Sequence, residues 1–309
     1  MSAAVTGEAV PARRPLAGTA LVLLSTLAWS FSGLFTRLLT TNVITAIAWR
    51  AFFGALFTAL PLVVGARRHA ATRLAFSWPM AFLVLAVAAC SACTVGALFL
   101  TSIANTAVIY ATTPFMAAGL SFLFTGERQK GRTLFASAVS LVGVAIIVSG
   151  GFGSGGLLGD VVALGMTLSF AFMIVLPKVY PGLDLRAASI LGAALTFAVF
   201  APFGHPQTMP ARDWTVLAGF GFTNFTVALY LFLVGARHLA AAQAALIGTL
   251  DVVLAPFWVW LAFDERPSLA TFAGGGMIFL VVVWHTAIEW RDERRRRSRE
   301  SRVRLGTAF

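Results

Sequence analysis

The chain has 309 residues, 59% of them hydrophobic and only 11% charged, with a mean hydropathy of +0.86. Soluble domains carry about 25% charged residues, so this composition excludes water as the main solvent. The net charge of +11 does not argue for nucleic acid, because eight of the 23 Lys and Arg residues lie in one tail, Arg291 to Arg304, and no aromatic-interleaved basic fold accompanies them. A basic tail beside apolar helices fits anionic lipid headgroups instead.

Residues 1–15 form a short polar segment in which Arg13 and Arg14 precede a long apolar run. That run, Leu16 to Thr36, is too long for a signal peptide and ends at Arg37 without a small-residue cleavage pattern, so it reads as a retained first helix. In lipid each spanning segment satisfies its own backbone hydrogen bonds, which makes apolar runs of about twenty residues helices. Ten such runs are expected at 16–36, 44–64, 77–99, 104–124, 132–149, 157–177, 185–203, 213–234, 241–261 and 268–288. Gly, Pro or charged residues mark the connections between them. With both termini cytoplasmic, nineteen Lys and Arg residues fall inside and three, Arg37, Arg212 and Arg266, outside. The expected protein is an all-α, multi-pass protein of the cell membrane, with both termini cytoplasmic and a basic tail over 289–309.

Sliding the chain on itself by 138 positions lays Glu127-Arg128 over Glu265-Arg266, each between two helices. Windows 103–133 and 241–271 share eight identities in 31 pairs, of which the Glu-Arg pair weighs most because polar residues at membrane ends coincide rarely. Two five-helix repeats, 16–149 and 157–288, follow. Five is odd, so the second repeat crosses the membrane in the opposite sense. Inverted repeats of this kind place a substrate near the midplane and let each half gate one side.

Thr112-Thr113-Pro114-Phe115-Met116-Ala117 through Phe124-Thr125-Gly126-Glu127-Arg128, with Pro thirteen residues before Glu, resembles the EamA-type drug/metabolite transporters. Trp29-Ser30 and Trp49-Arg50 extend the resemblance over nearly the whole chain. The second half departs from the pattern: Leu250-Asp251 falls where the family often has an acid and Glu265 is kept, but Val252 replaces the proline, which reappears at Pro256. The resemblance implies a ten-helix exporter of small molecules. Size and aromatic-rich helices resemble most the amino-acid exporters that include aromatic substrates.

Charged groups inside a membrane helix cost on the order of 3 kcal/mol on insertion scales, which singles out Asp251 and Arg50. Asp251 could carry a coupling proton, face a substrate amine, or hold a neighbouring helix by a hydrogen bond. Arg50 could bind a substrate carboxylate, or snorkel and pair structurally. Helical spacing puts Asn105, Thr112 and Met116 on one face of the fourth run, and Gln243, Ile247 and Asp251 along a similar stripe of the ninth. These two faces are the expected lining of a shared cavity. In the first run Trp29 adjoins a face of Thr26, Ser30 and Gly33, residues that also suit close helix packing. Asn224 and Tyr230 of the eighth run lie too far apart in angle to line one narrow face together. Trp78, Trp214 and Trp290 are expected at headgroup level, and Trp258 and Trp260 in packing or lipid contact.

Several motifs carry no chemistry here. Gly151 to Gly156 fits G-x-G-x-x-G but joins two membrane helices, Asn224-Phe225-Thr226 fits a glycosylation pattern inside a span, and no Walker lysine motif occurs, so no nucleotide or other cofactor is expected. Cys90 and Cys93 read as buried packing rather than a redox or zinc pair. No His-Glu-x-x-His occurs, and His69, His205, His238 and His285 are expected in loops or at helix ends, so an enzyme has no support. The leading expectation is a secondary exporter of small metabolites, amino acids foremost, with membrane lipid and a coupling proton as its other partners. Export of other metabolites or cationic drugs, or a non-transporting sensor or assembly subunit, are the alternatives.

Overall fold

The computed structural model describes residues 15–65, 77–101, 103–149, 156–264 and 268–306, and all their regular structure is helical. In the first half, α1 (Pro15–Ser30) and α2 (Ser32–Leu38) make up one interrupted span. After them come α3 (Val43–Gly65), α4 (Trp78–Leu100), the split pair α5 (Ile103–Tyr110) and α6 (Thr113–Thr125), and α7 (Gly131–Val148). The second half begins with α8 (Leu157–Val179) and α9 (Leu185–Phe200). Then α10 (Ala211–Gly221) passes through a π-helical segment, Phe222–Leu229, into α11 (Tyr230–Ala236); a second split pair, α12 (Ala241–Gly248) and α13 (Asp251–Phe263), precedes α14 (Leu269–Gly306). Among the described residues nine stretches are long and apolar enough to cross a membrane, and a tenth, Trp78–Thr94 within α4, is shorter.

Continuous helices were the expectation, and four spans depart from it for local chemical reasons. At the α5–α6 break Pro114 has no N–H to give the Tyr110 carbonyl. The Thr113 hydroxyl donates to that carbonyl instead, and Thr112 Oγ1 donates to the Ile109 carbonyl at 2.6 Å. The α12–α13 break lacks the proline, yet Thr249 Oγ1 donates to the Leu246 carbonyl at 2.6 Å and the backbone tightens, Leu250 N bonding Ile247 O at 3.1 Å. At the α1–α2 break Ser30 Oγ and Ser32 Oγ donate back to the Leu27 and Trp29 carbonyls at 2.7 and 2.5 Å, a pattern that bends helices. In the π-helical segment the Ala228 carbonyl accepts from Ser25 Oγ of α1 at 2.8 Å.

The 138-residue shift maps α5 onto α12 and α6 onto α13 residue for residue, and it carries Gly126 (φ 68°) onto Asp264 (φ 54°), the left-handed residue that ends each pair. Glu265 and Arg266, which anchor the alignment in the sequence, lie outside the described residues, as do Arg13, Arg14, Arg67, Arg68, Arg73 and Gly151 to Gly155. All eight residues of α12 are buried, as befits a helix apolar all round. It packs against α6, the second half of the other split pair, while α14 packs on α7, α4 on α8 and α3 on α9.

Acids hold the helix ends in register. Asp213, fully buried, accepts from Thr40 N, Thr40 Oγ1 and Thr41 N at 2.8–3.0 Å, which ties the α2–α3 turn to α10. Asp160 accepts from Thr101 Oγ1 at 2.6 Å, and Asp184 caps α9 through Arg186 N and Ala187 N. Between α7 and α14, Glu289 pairs with Lys130 and Arg132, Asp292 with Arg132, and Thr133 Oγ1 lies 2.9 Å from His285 Nε2. His285 is fully buried within α14, not at a helix end as expected, because α14 continues to Gly306. Trp214 likewise packs inward, 4.7 Å from Trp49, rather than serving as a headgroup anchor alone.

The α7–α14 contact depends on two glycines: a Cβ on Gly274 would sit 2.2 Å from the Gly143 carbonyl oxygen, which only backbone movement could relieve. Gly274→Leu is therefore expected to lower stability by about 1–3 kcal/mol, measured as a fall in Tm in detergent. Gly276→Leu, whose Cβ would meet nothing within 4 Å, should not lower it.

Candidate functional site

The two helix breaks bring a small set of side chains together. Tyr110 ends α5, and its hydroxyl is 3.6 Å from where a Cβ on Gly248, the last residue of α12, would stand. Asp251 opens α13, close enough for its charge to act on Tyr110. A carboxylate is favoured at a helix N-terminus, where unpaired N–H groups collect. Asp160, Asp184 and Asp213 are each committed to helix ends, whereas Asp251 makes no hydrogen bond or ion pair among the described residues.

Four rings from four helices stand beside these breaks. Tyr110 is 5.8 Å from Phe170 of α8; Phe170 stacks on Phe232 of α11 at 4.9 Å; Trp29 of α1 meets Phe170 at 5.6 Å and Phe232 at 5.0 Å. Phe170 and Phe232 are buried, while Trp29 and Tyr110 keep partly exposed surface.

On the other side of the interior stands Arg50 of α3. Its Nη2 donates to Ser91 Oγ at 2.9 Å, and Cζ lies 5.1 Å from the Phe220 ring and 5.6 Å from the Phe225 ring. It is only 8% exposed and its Nε has no partner. The guanidinium thus does not snorkel; it is stacked in place with donor capacity left. Cys90, next to Ser91, is within electrostatic reach of both Arg50 and Tyr110. Cys90 and Cys93 are both free thiols. Among the described residues no three His, Cys, Asp or Glu side chains cluster as metal ligands would.

A second group clamps the α1–α2 break. Trp258 Nε1 of α13 donates to Ser30 Oγ at 2.8 Å, and its ring stacks on Phe31 at 4.5 Å. From the π-helical segment Asn224 Nδ2 donates to Ser32 Oγ at 3.1 Å, and Thr226 Oγ1 lies 2.9 Å from Thr58 Oγ1 of α3. π-Helical turns inside α-helices often accompany functional sites because they re-aim side chains.

Of the residues singled out in the sequence, Trp29, Ser30, Asn224 and Asp251 belong to these two groups. Thr112 sits at the α5–α6 break with its hydroxyl spent on its own helix, and Met116 packs one turn further on against the core. Three stand elsewhere. Asn105 donates to Asp160 and Thr101, both at 3.2 Å; Tyr230 accepts from Arg186 at 3.4 Å; Gln243 lines a separate cleft against α1 and α14. Sequence reasoning did not single out Tyr110, Phe170 or Phe232, whose aromatic residue types carry no signal among 27 Phe and 3 Tyr. It set Trp258 down to packing or lipid contact. The one available clue was its position on the same helix as Asp251.

A solved crystal structure matches this fold over 87% of this chain and 96% of its own, with a TM-score of 0.75 at 16% identity, which establishes the likeness of fold alone. No curated protein matches the sequence. The pattern of the EamA-like transporter family, however, matches twice, over residues 16–149 and 154–286. Two copies of that pattern cover most of the chain, and each contains one of the split helices; the chain belongs to the EamA-like transporter family.

Proposed function

We propose that this protein exports small zwitterionic metabolites, amino acids with apolar or aromatic side chains foremost, by alternating access of two inverted halves. The observation that carries the reading is the packing of the two split helices on each other, with Asp251 at one break making no hydrogen bond or ion pair among the described residues. Broken helices in transporters bring substrate groups to helix ends near the bilayer midplane. The packing of α12 against α6, the first half of one pair on the second half of the other, supports opposite directions for the two repeats. Nineteen Lys and Arg residues against three support cytoplasmic termini, and the outward direction rests on the resemblance to exporters.

The chemistry of each group suggests its part. A substrate ammonium is met by Asp251 and its side chain by the rings of Trp29, Phe170, Phe232 and Tyr110. Arg50, oriented by Ser91 and by Phe220 and Phe225, offers the carboxylate a separate station along the path, because the two charges of an α-amino acid share one carbon and do not span from one group to the other. Clamped by Trp258 and Asn224, the α1–α2 break is the hinge by which α2 closes one end. Asp251 also serves as the proton carrier, taking a proton when no ammonium occupies it. An aromatic cage with a free carboxylate would suit a cationic drug as well; the buried Arg50 favours the zwitterion.

In proteoliposomes, radiolabelled aromatic amino acids should move faster than in protein-free vesicles, and Asp251→Asn and Arg50→Gln should each reduce flux about tenfold or more, the equivalent of ~1.4 kcal/mol. Flux across a whole amino-acid panel no faster than in empty vesicles would sink the substrate class. Unchanged flux in both variants would sink the site. Under an imposed pH gradient the native protein should concentrate substrate, whereas Asp251→Asn should retain only exchange without accumulation; accumulation in that variant assigns the proton elsewhere.

For the hinge, Trp258→Phe keeps a ring to stack on Phe31 but removes the donor to Ser30. The expected result is a several-fold lower maximal rate, on the scale of one hydrogen bond of ~1 kcal/mol, with unchanged half-saturation. A change in half-saturation alone would instead make Trp258 a substrate contact.

A further inference from the structure

Gln243 stands in a cleft that neither Arg50 nor Asp251 lines. It lines a cleft of about 500 Å³ between α1, α12 and α14, whose walls are otherwise almost entirely apolar. The side chain is only 5% exposed, and it makes no hydrogen bond among the described residues. Its repeat counterpart Asn105 is held by Asp160 and Thr101, so the vacancy is not a property of the repeat. Thr286, also in the cleft, has a hydroxyl without a partner. Two unpaired polar groups in an apolar cleft call for an amphipathic occupant, because each costs about 1–3 kcal/mol if left unmet.

The dimensions point to which one. Along α1 the cleft runs from Pro15 to Leu23, and along α14 from Trp290 to Phe279, or ~12 and ~16 Å at 1.5 Å per residue. That is about half the ~30 Å hydrocarbon core, the depth of one leaflet. Ala20 and Val283, on opposite walls, are exposed, so the cleft opens sideways to where lipid would be. Its mouth lies where α1 begins and where the basic extension of α14 leaves the bundle. There Trp290 lines the cleft and Arg294 stands over the Trp290 ring at 3.8 Å. Glu289 is also at the mouth, but its carboxylate is taken up by Lys130 and Arg132.

We propose that this cleft is a binding site for an anionic glycerophospholipid: one acyl chain lies between α1 and α14 down to Phe279, the ester region meets Gln243 and Thr286, and the phosphate sits beside Arg294. A bound chain touches both repeats, because α1 belongs to the first match of the family pattern and α12 and α14 to the second. The site is separate from the substrate site and stands whether or not amino acids are the cargo.

The test uses the full-length protein in vesicles of phosphatidylcholine doped with a trace of phosphatidylglycerol carrying a photoreactive acyl chain, or with the matching phosphatidylcholine probe. Crosslinks should map to Leu23 and Phe279 and be at least several-fold more abundant with phosphatidylglycerol. Ala20→Trp, which fills the cleft from α1, should abolish them, as should Val283→Trp from α14; both positions are exposed, so folding is expected to survive and the Tm is the control. Gln243→Leu should keep crosslinking but weaken it. Equal labelling by the two probes, or labelling unaffected by either tryptophan, would overturn the proposal and leave the cleft as ordinary lipid-facing surface.

Discussion

In the bilayer a backbone N–H or C=O that lacks a partner has no water to turn to, and this requirement shapes the molecule more than any single contact. An uninterrupted helix meets it for free, which is why ten apolar runs become helices at all. Each interruption must be satisfied locally or against protein. Here hydroxyls do that: Thr112 and Thr113 at one break, Thr249 at its repeat counterpart, Ser30 and Ser32 in the first span, and Ser25 at the π-helical segment. Each hydroxyl meets its own hydrogen-bonding need on a carbonyl at or beside the interruption, so the irregular points can stay inside the bundle.

The breaks sit where protein surrounds them: Thr113 and Thr249 are buried, as is all of α12, while α13 beyond the break carries no buried residue. Asp251 acts electrostatically on Tyr110, whose ring joins the cluster of Trp29, Phe170 and Phe232. Most other carboxylates at the helix ends are consumed in holding turns together. Asp251 makes no hydrogen bond or ion pair among the described residues, and an acid within a membrane span is costly, which is what singles it out.

The repeats are related in backbone but not in chemistry. The 138-residue shift reproduces helix bounds and even the left-handed caps at Gly126 and Asp264, yet it sets Thr113 against Asp251, Pro114 against Val252, and a satisfied Asn105 against an unpaired Gln243. The helix break survives the loss of its proline because Thr249 supplies the same back-bond. The repeat therefore describes the shared course of the backbone, while the residues that differ, Asp251 and Gln243 in the second half against Thr113 and Asn105 in the first, set the halves apart chemically.

The sequence by itself determined the all-helical membrane class, the spans and the repeat, because these follow from length, hydropathy and periodicity, which are properties of each segment alone. It also marked Asp251 and Arg50, since charge inside a span stands out on composition. What it could not determine is where a polar side chain finds its partner. Asn105, Gln243 and Tyr230 look alike in residue type and helical spacing, and only the neighbouring helices decide that Asn105 goes to Asp160, Tyr230 to Arg186 and Gln243 to a lateral cleft. The helix breaks likewise depend on hydroxyls bonding back to carbonyls, a choice that serine and threonine make in many continuous helices without breaking them. Tertiary packing decides where such bonds accompany a break, because it surrounds residues such as Thr113 and Thr249 with protein.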